Sequence, residues 1–164
     1  MQVSKFGKIA ILLTGIAFLL QSHPGYSQGS APDFSLSQAD FEQKALKPKE
    51  EVWVVDFWAS WCRPCIEAIP HVRELQQKYS AKGVRFISIS WDESDAKWKE
   101  ALTRFQMPWQ HIRITKENSR FFDLHFPHRT IPTAFVIRRD GKVRRSNGVG
   151  MLEPTLQKAL KVAK

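Results

Sequence analysis

Two thiols and one carboxylate carry the chemistry this sequence can do. Cys62-Arg63-Pro64-Cys65 contains the chain's 2 cysteines, with Cys65 one helical turn beyond Cys62 if a helix begins there. The thiolate, not the thiol, attacks disulfides. A free thiol titrates near pH 8.5, but at a helix N-terminus or beside positive charge it can fall to about 3.5–7.5. Unpaired amide N–H groups and the positive end of the helix dipole would favour a thiolate at Cys62, and Arg63 adds a fixed positive charge. Pro64 suits a first helical turn, having no N–H to satisfy, and stiffens the spacer between the sulfurs. Cys65, further in, is expected to be more buried, to keep its proton longer and to act as the resolving thiol. Asp56 stands inside an otherwise apolar run six residues before Cys62. A carboxylate is expensive to bury there unless it has a task. Taking the proton from Cys65 is one, and burial would raise its pKa toward neutrality as that role requires. The two thiols could also bind zinc with His71, His125 or His128, but the usual ligand spacing is absent. No metal or cofactor is expected.

The elements that must hold these residues follow from pattern. Val52–Trp58 is β-branched and aromatic with almost no polar relief, as in a central strand buried on both faces. Pro64–Lys82 carries Ile66, Ile69, Val72, Leu75 and Tyr79 at helical spacing and ends at Gly83. Val84–Trp91 is a second strand, so a parallel βαβ unit with a right-handed crossover is predicted, the cysteines lying where strand turns into helix. Ser94–Phe105 is a helix with Ser94 as N-cap, and residues 117–126 form a shorter one whose Phe121, Phe122 and Phe126 are assigned to the core. Thr133–Arg139 and Lys142–Ser146 are strands joined at Asp140-Gly141, a strong hairpin signal. The basic residues Arg138, Arg139, Lys142, Arg144 and Arg145 are taken as the solvated side of that hairpin. Glu153–Val162 is an amphipathic C-terminal helix.

The N-terminus speaks to compartment. Lys5 and Lys8 precede twelve residues, Ile9–Leu20, of which only Thr14 is polar, and Gly25-Tyr26-Ser27 follows. This is the pattern of a secretory signal cleaved after Ser27. At about 1.5 Å per residue the run reaches about 18 Å, short of a hydrocarbon core of about 30 Å, so an uncleaved anchor is disfavoured. The expected organisation is a signal peptide over 1–27, an N-terminal extension over 28–50 with a strand at Phe34–Leu36 and a short helix at Phe41–Leu46, and the main domain over 51–164. Removing 1–27 takes away Lys5 and Lys8 and no acid, so the formal charge falls from +9 to +7. Export removes nucleic acid from the partners such charge suggests. A monomer is expected.

Val55-Asp56-Phe57-Trp58-Ala59-Ser60-Trp61-Cys62-Arg63-Pro64-Cys65, with Pro70 in the following helix and Thr130-Ile131-Pro132-Thr133 much later, resembles the thioredoxin superfamily. Within it the chain is similar to the extracytoplasmic thiol-disulfide oxidoreductases of the TlpA/ResA type. The resemblance implies an α/β thioredoxin fold: a central mixed β-sheet flanked by helices on both faces, with an N-terminal extension and a strand-helix insert. It implies a cis peptide at Ile131-Pro132 facing the sulfurs, and client binding by Trp61, Arg63, Pro64, Ile131 and Pro132, with Trp58 in the core. It implies disulfide exchange through Cys62 and Cys65 on exported, disulfide-containing proteins, haem-attachment cysteines of cytochromes c among them, and re-reduction by a membrane thiol donor of the DsbD/CcdA type. Ala68 stands where that branch often has Glu, Asp56 follows cytosolic thioredoxin, and His128 replaces a small apolar residue. A reductase of the periplasm or another extracytoplasmic space is the expectation. The alternatives are a thiol oxidase or isomerase, a thiol peroxidase, and a non-catalytic binder of client proteins on the same fold.

Overall fold

A computed structural model describes residues 36–47 and 50–161. The expected signal segment over 1–27, the first two residues of the expected Phe34–Leu36 strand and the last three residues of the chain lie outside the described residues. The elements run α1 (Gln38–Phe41, continued by a π-turn over Glu42–Leu46), β1 (Val52–Trp58), α2 (Arg63–Tyr79), β2 (Val84–Ser90), α3 (Asp95–Arg104), β3 (Gln110–Arg113), α4 (Ser119–His125), β4 (Thr133–Ile137), β5 (Val143–Arg145) and α5 (Leu152–Leu160). The five strands form one sheet in the order β3-β2-β1-β4-β5. β1, β2 and β3 are parallel, and β4 and β5 run antiparallel to their neighbours.

Period-two alternation in β1 builds two cores. Val52, Val54 and Trp58 face one side, with Ile69, Val72 and Leu75 of α2, Trp98 of α3 and Leu152 and Leu156 of α5. Trp53, Val55 and Phe57 face the other, with Ile87, Ile89, Phe135 and Ile137 and the aromatic rings of Phe41, Phe122 and Phe126. On that second side the rings meet at centroid distances of 5.3 Å (Phe126–Phe135), 5.7 Å (Phe57–Phe126) and 5.9 Å (Phe41–Phe126). Each such side chain removed from water contributes about 1.5–3 kcal/mol. Because Phe41 and Ala45 are fully buried there, the described segment 36–47 of the N-terminal extension contributes to the core.

Local signals set the boundaries. The Ser94 hydroxyl accepts from the Lys97 amide and caps α3, and Gly83, at φ 76°, takes the left-handed turn that releases the chain into β2. In the hairpin, Gly141 sits at φ 78°, its amide donating to the Arg138 carbonyl, while the Arg138 amide donates to the Lys142 carbonyl. β3 was not anticipated from sequence. It pairs Ile87 to Ser90 of β2 with Gln110 to Arg113, and on its outer side the Leu36 amide donates to the His111 carbonyl at 3.0 Å.

Candidate functional site

The cysteines sit where β1 hands over to α2. Cys62 is the N-cap of α2, and its sulfur accepts the Cys65 amide at 3.3 Å. The two sulfurs are joined as a disulfide. Cys62 is 7% exposed and Cys65 3%, so an incoming group reaches Cys62 first. On reduction, the same amide and the open end of the helix are placed to stabilise a Cys62 thiolate. Pro64 lies in the first turn, where its missing N–H costs nothing. The Arg63 guanidinium lies along the outside of the helix on Glu67, at 3.0 Å, with both side chains well exposed.

The loop before Cys62 is tied down by Asp92. Asp92 is buried and accepts the Ser60 amide at 2.9 Å, the Ser60 hydroxyl at 2.6 Å and the Ser90 hydroxyl at 2.7 Å. The Trp91 amide donates to the Trp58 carbonyl at 2.9 Å, extending the β1–β2 pairing to the point where the loop leaves. Trp58 is core, as expected, whereas Trp61 is 65% exposed and free to meet a docking chain. A cleft of about 320 Å³ next to it is lined by Ser60, Ile66, Lys97, Glu100, Arg104 and Phe105.

The second loop arrives at the same end of the sheet. Phe57 pairs with Thr133, so the preceding Ile131-Pro132 stands at the top of β1. That peptide bond is cis, and the Thr133 hydroxyl donates to the Thr130 carbonyl at 2.6 Å, closing the turn. Ile131 packs against both cores. His128 fills the flank: its ring lies 4.0 Å from that of Phe57 and 5.1 Å from that of Trp91, with Nδ1 2.6 Å from the Phe126 carbonyl. Burial holds its pKa below the ordinary histidine value. His71 lies on α2 near Glu74, and His125 stacks on Phe121.

Asp56 shares the sheet face of Val54 and Trp58, the face that α2 covers with Cys65. It is 6% exposed, and burial pushes its pKa from 3.8 up to about 7, partly offset by the Ser88 hydroxyl, which donates to Oδ2 at 3.3 Å. A carboxyl balanced between its two forms near neutrality can take up and release a proton. Ser88 accepts in turn from Trp109 Nε1 at 2.8 Å. His111 stands in register beyond Ser88, fully buried, with its pKa pushed down to about 4 by that burial. Ser60, Ser88, Trp109 and His111 escaped sequence reasoning. Each acts through a residue far along the chain, and only the unusual polarity of Ser88 and Ser90 within a buried strand hinted at them.

The chain belongs to the thioredoxin-like family: the family model so described matches residues 50–143. It is 31% identical over 114 residues to a "Thiol-disulfide oxidoreductase ResA" of Bacillus thuringiensis, covering 69% of this chain and 64% of the relative, and 27% identical over 117 residues to the ResA of Geobacillus thermodenitrificans, covering 71% and 66%. The match to the first of these thus spans just under two thirds of the relative's length. Among solved structures, the thioredoxin domain of a thiol-disulfide oxidoreductase from Bacteroides vulgatus superposes with TM-score 0.64 at 20% identity, over 77% of this chain and 86% of that one. A thiol:disulfide interchange protein from Chlorobium tepidum gives 0.60 at 26%, over 68% and 81%. The fold is the thioredoxin fold, with its mixed sheet and covering helices. Among the described residues no helix is long and apolar enough to cross a membrane.

Proposed function

We propose that this protein is an extracytoplasmic thiol-disulfide oxidoreductase that reduces disulfides in exported client proteins. The observation that carries the reading is the placement of Cys62 as the cap of α2, its sulfur on the Cys65 amide, on the sheet face that also holds the buried carboxyl of Asp56. In the reduced enzyme the Cys62 thiolate attacks one sulfur of a client disulfide, forming a mixed disulfide and expelling the other client sulfur as thiolate. Asp56, as carboxylate, takes the Cys65 proton. Cys65 then attacks the Cys62 sulfur, closes the disulfide and expels the second client sulfur. The client gains two electrons and the enzyme loses two; the Cys65 proton passes through Asp56 to one client sulfur, and the other client thiolate takes its proton from solvent. A dithiol donor in the membrane, of the DsbD/CcdA type, restores the pair by the same exchange.

Client binding is assigned to Trp61, Arg63 and Pro64 on one loop and to Ile131 and Pro132 on the other. Extended client backbone adding to the backbone at Ile131 is the recognition mode that suits such a rim. The export reading rests on the signal-like pattern of residues 1–27, with 28–50 as extension and 51–164 as the thioredoxin-like domain. The similarity to the ResA oxidoreductases supports the same class.

The test is the reduction potential of the Cys62/Cys65 couple in defined thiol buffers, joined to reduction of a protein disulfide. A value at or below about −230 mV with turnover supports the reductase, and a value near −120 mV makes it an oxidant. Cys65→Ser protein should accumulate mixed disulfides with clients in the exported compartment. Cys62→Ser protein should accumulate none.

A further inference from the structure

We propose that Ser88 and Trp109 form a buried positioning relay that fixes the Asp56 carboxyl and sets how readily it accepts the Cys65 proton, an inference that rests on the base role given to Asp56 above. Across the sheet His111, Ser88, Asp56 and Ala134 stand in one register row. A hydroxyl has one proton to give and two lone pairs, whereas an indole N–H can only donate. Trp109 Nε1, at 2.8 Å, therefore occupies the accepting side of Ser88 and cannot receive its proton. The Ser88 proton is left for Asp56 Oδ2 at 3.3 Å. Ser88 is fully buried and Trp109 4% exposed, so the chain of donors is shielded from water.

The pairing is specific to this indole. The N–H groups of Trp53, Trp58 and Trp98 are buried without hydrogen-bond partners, so packing alone seats those rings, while Trp109 is aimed at the one hydroxyl that touches the carboxyl. A donor to a carboxylate favours its charged form, and a hydroxyl that accepts a bond donates more strongly. Ser88 with Trp109 behind it thus opposes burial and keeps the ionised base accessible near neutral pH. Among the described residues the titratable groups on this sheet face are Cys62 at the start of α2, Cys65 and Tyr79 on α2 and His111 on β3, and in the oxidised protein the two cysteines are held in their disulfide. His111 is held neutral by its burial above about pH 4, and the β2 and β4 partners of Asp56, Ser88 and Ala134, do not titrate.

The experiment follows the Asp56 carboxyl directly, by carbon NMR of labelled aspartate in the oxidised full-length protein over a pH series, with Asp56→Asn identifying the signal. Ser88→Ala is expected to raise the Asp56 midpoint by about one pH unit, a tenfold change in its ionisation constant. Trp109→Phe, which keeps an aromatic ring, is expected to raise it by about half as much, and Ser88→Thr, which keeps the hydroxyl, to leave it near the parent value. Unchanged midpoints in both folded Ser88→Ala and Trp109→Phe would overturn the relay. The pH profile of the step that resolves the mixed disulfide separates the two levels. If Asp56→Asn leaves its rate and profile unaltered, the base role fails. If Asp56→Asn slows it while Ser88→Ala moves neither the profile nor the NMR midpoint, the relay alone fails.

Discussion

The two faces of the sheet are built from alternate residues of the same strands and could hardly differ more. One is closed by Phe41, Phe57, Phe122, Phe126 and Phe135, ring against ring. The other packs α2, α3 and α5 over a hydrophobic cluster of its own that includes Cys65, but carries Asp56, Ser88 and His111 in a single row. A shift of one residue in register would exchange the two sets. The contrast shows how the fold accommodates reactive groups: the aromatic face supplies stability without chemistry, and the opposite face can then hold polar groups in the folded interior.

Breaking that division should have its largest effect on the reactive face. Cys62→Ser is expected to lower protein-disulfide reduction at least about a thousandfold, since the nucleophile is lost, and to lower the stability of the oxidised protein by about 2 kcal/mol, since the disulfide goes with it. Phe126→Ala on the aromatic face should do the converse, costing about 3–5 kcal/mol in denaturant unfolding while leaving the reduction potential of the folded protein unchanged. Asp56 comes next and sharpens the comparison, because its burial favours the protonated form. Its folded value of about 7 lies above the ordinary 3.8, so the folded state retains a proton that the unfolded chain releases. Stability from this group is full below about pH 4 and is lost as pH rises through 7. Asp56→Asn should therefore stabilise the protein by about 4 kcal/mol at pH 8 and hardly at all at pH 4, measured by urea unfolding at both.

His111 runs the other way. With its folded value near 4 against an ordinary 6.5, its contribution is present above pH 6.5 and lost as pH falls toward 4, so His111→Gln should flatten the acid limb of the stability curve. The smallest effect belongs to the surface. Glu67→Gln breaks an exposed ion pair with Arg63 and should change stability by less than about 0.5 kcal/mol.

The sheet's central members were legible because burial on both faces leaves an unmistakable pattern: Val52–Trp58 has no polar residue but Asp56. The helix starts at Cys62 and Ser94 and the turns at Gly83 and Gly141 were legible because their chemistry is local. β3 was not. Its four residues Gln110–Arg113 are mostly polar, lie near the sheet edge, and bury only His111 and Ile112, too short a run to show alternation. The paired thiols and the cis peptide could be placed from the chain, the latter through family resemblance, but Ser60 and Asp92 are 32 positions apart and Ser88 and Trp109 are 21 apart. Nothing in a linear reading joins a serine to an acid across such distances; the register of β1, β2 and β3 does.

The disulfide closes a ring between residues only three positions apart. Cross-links restrain an unfolded chain in proportion to the logarithm of the loop they close, so one this short is worth about 2 kcal/mol, against nearly 5 for a 100-residue loop. The domain is therefore not stapled by this pair: opening it removes only that small restraint on the unfolded chain, and the two hydrophobic cores on either side of the sheet hold the scaffold.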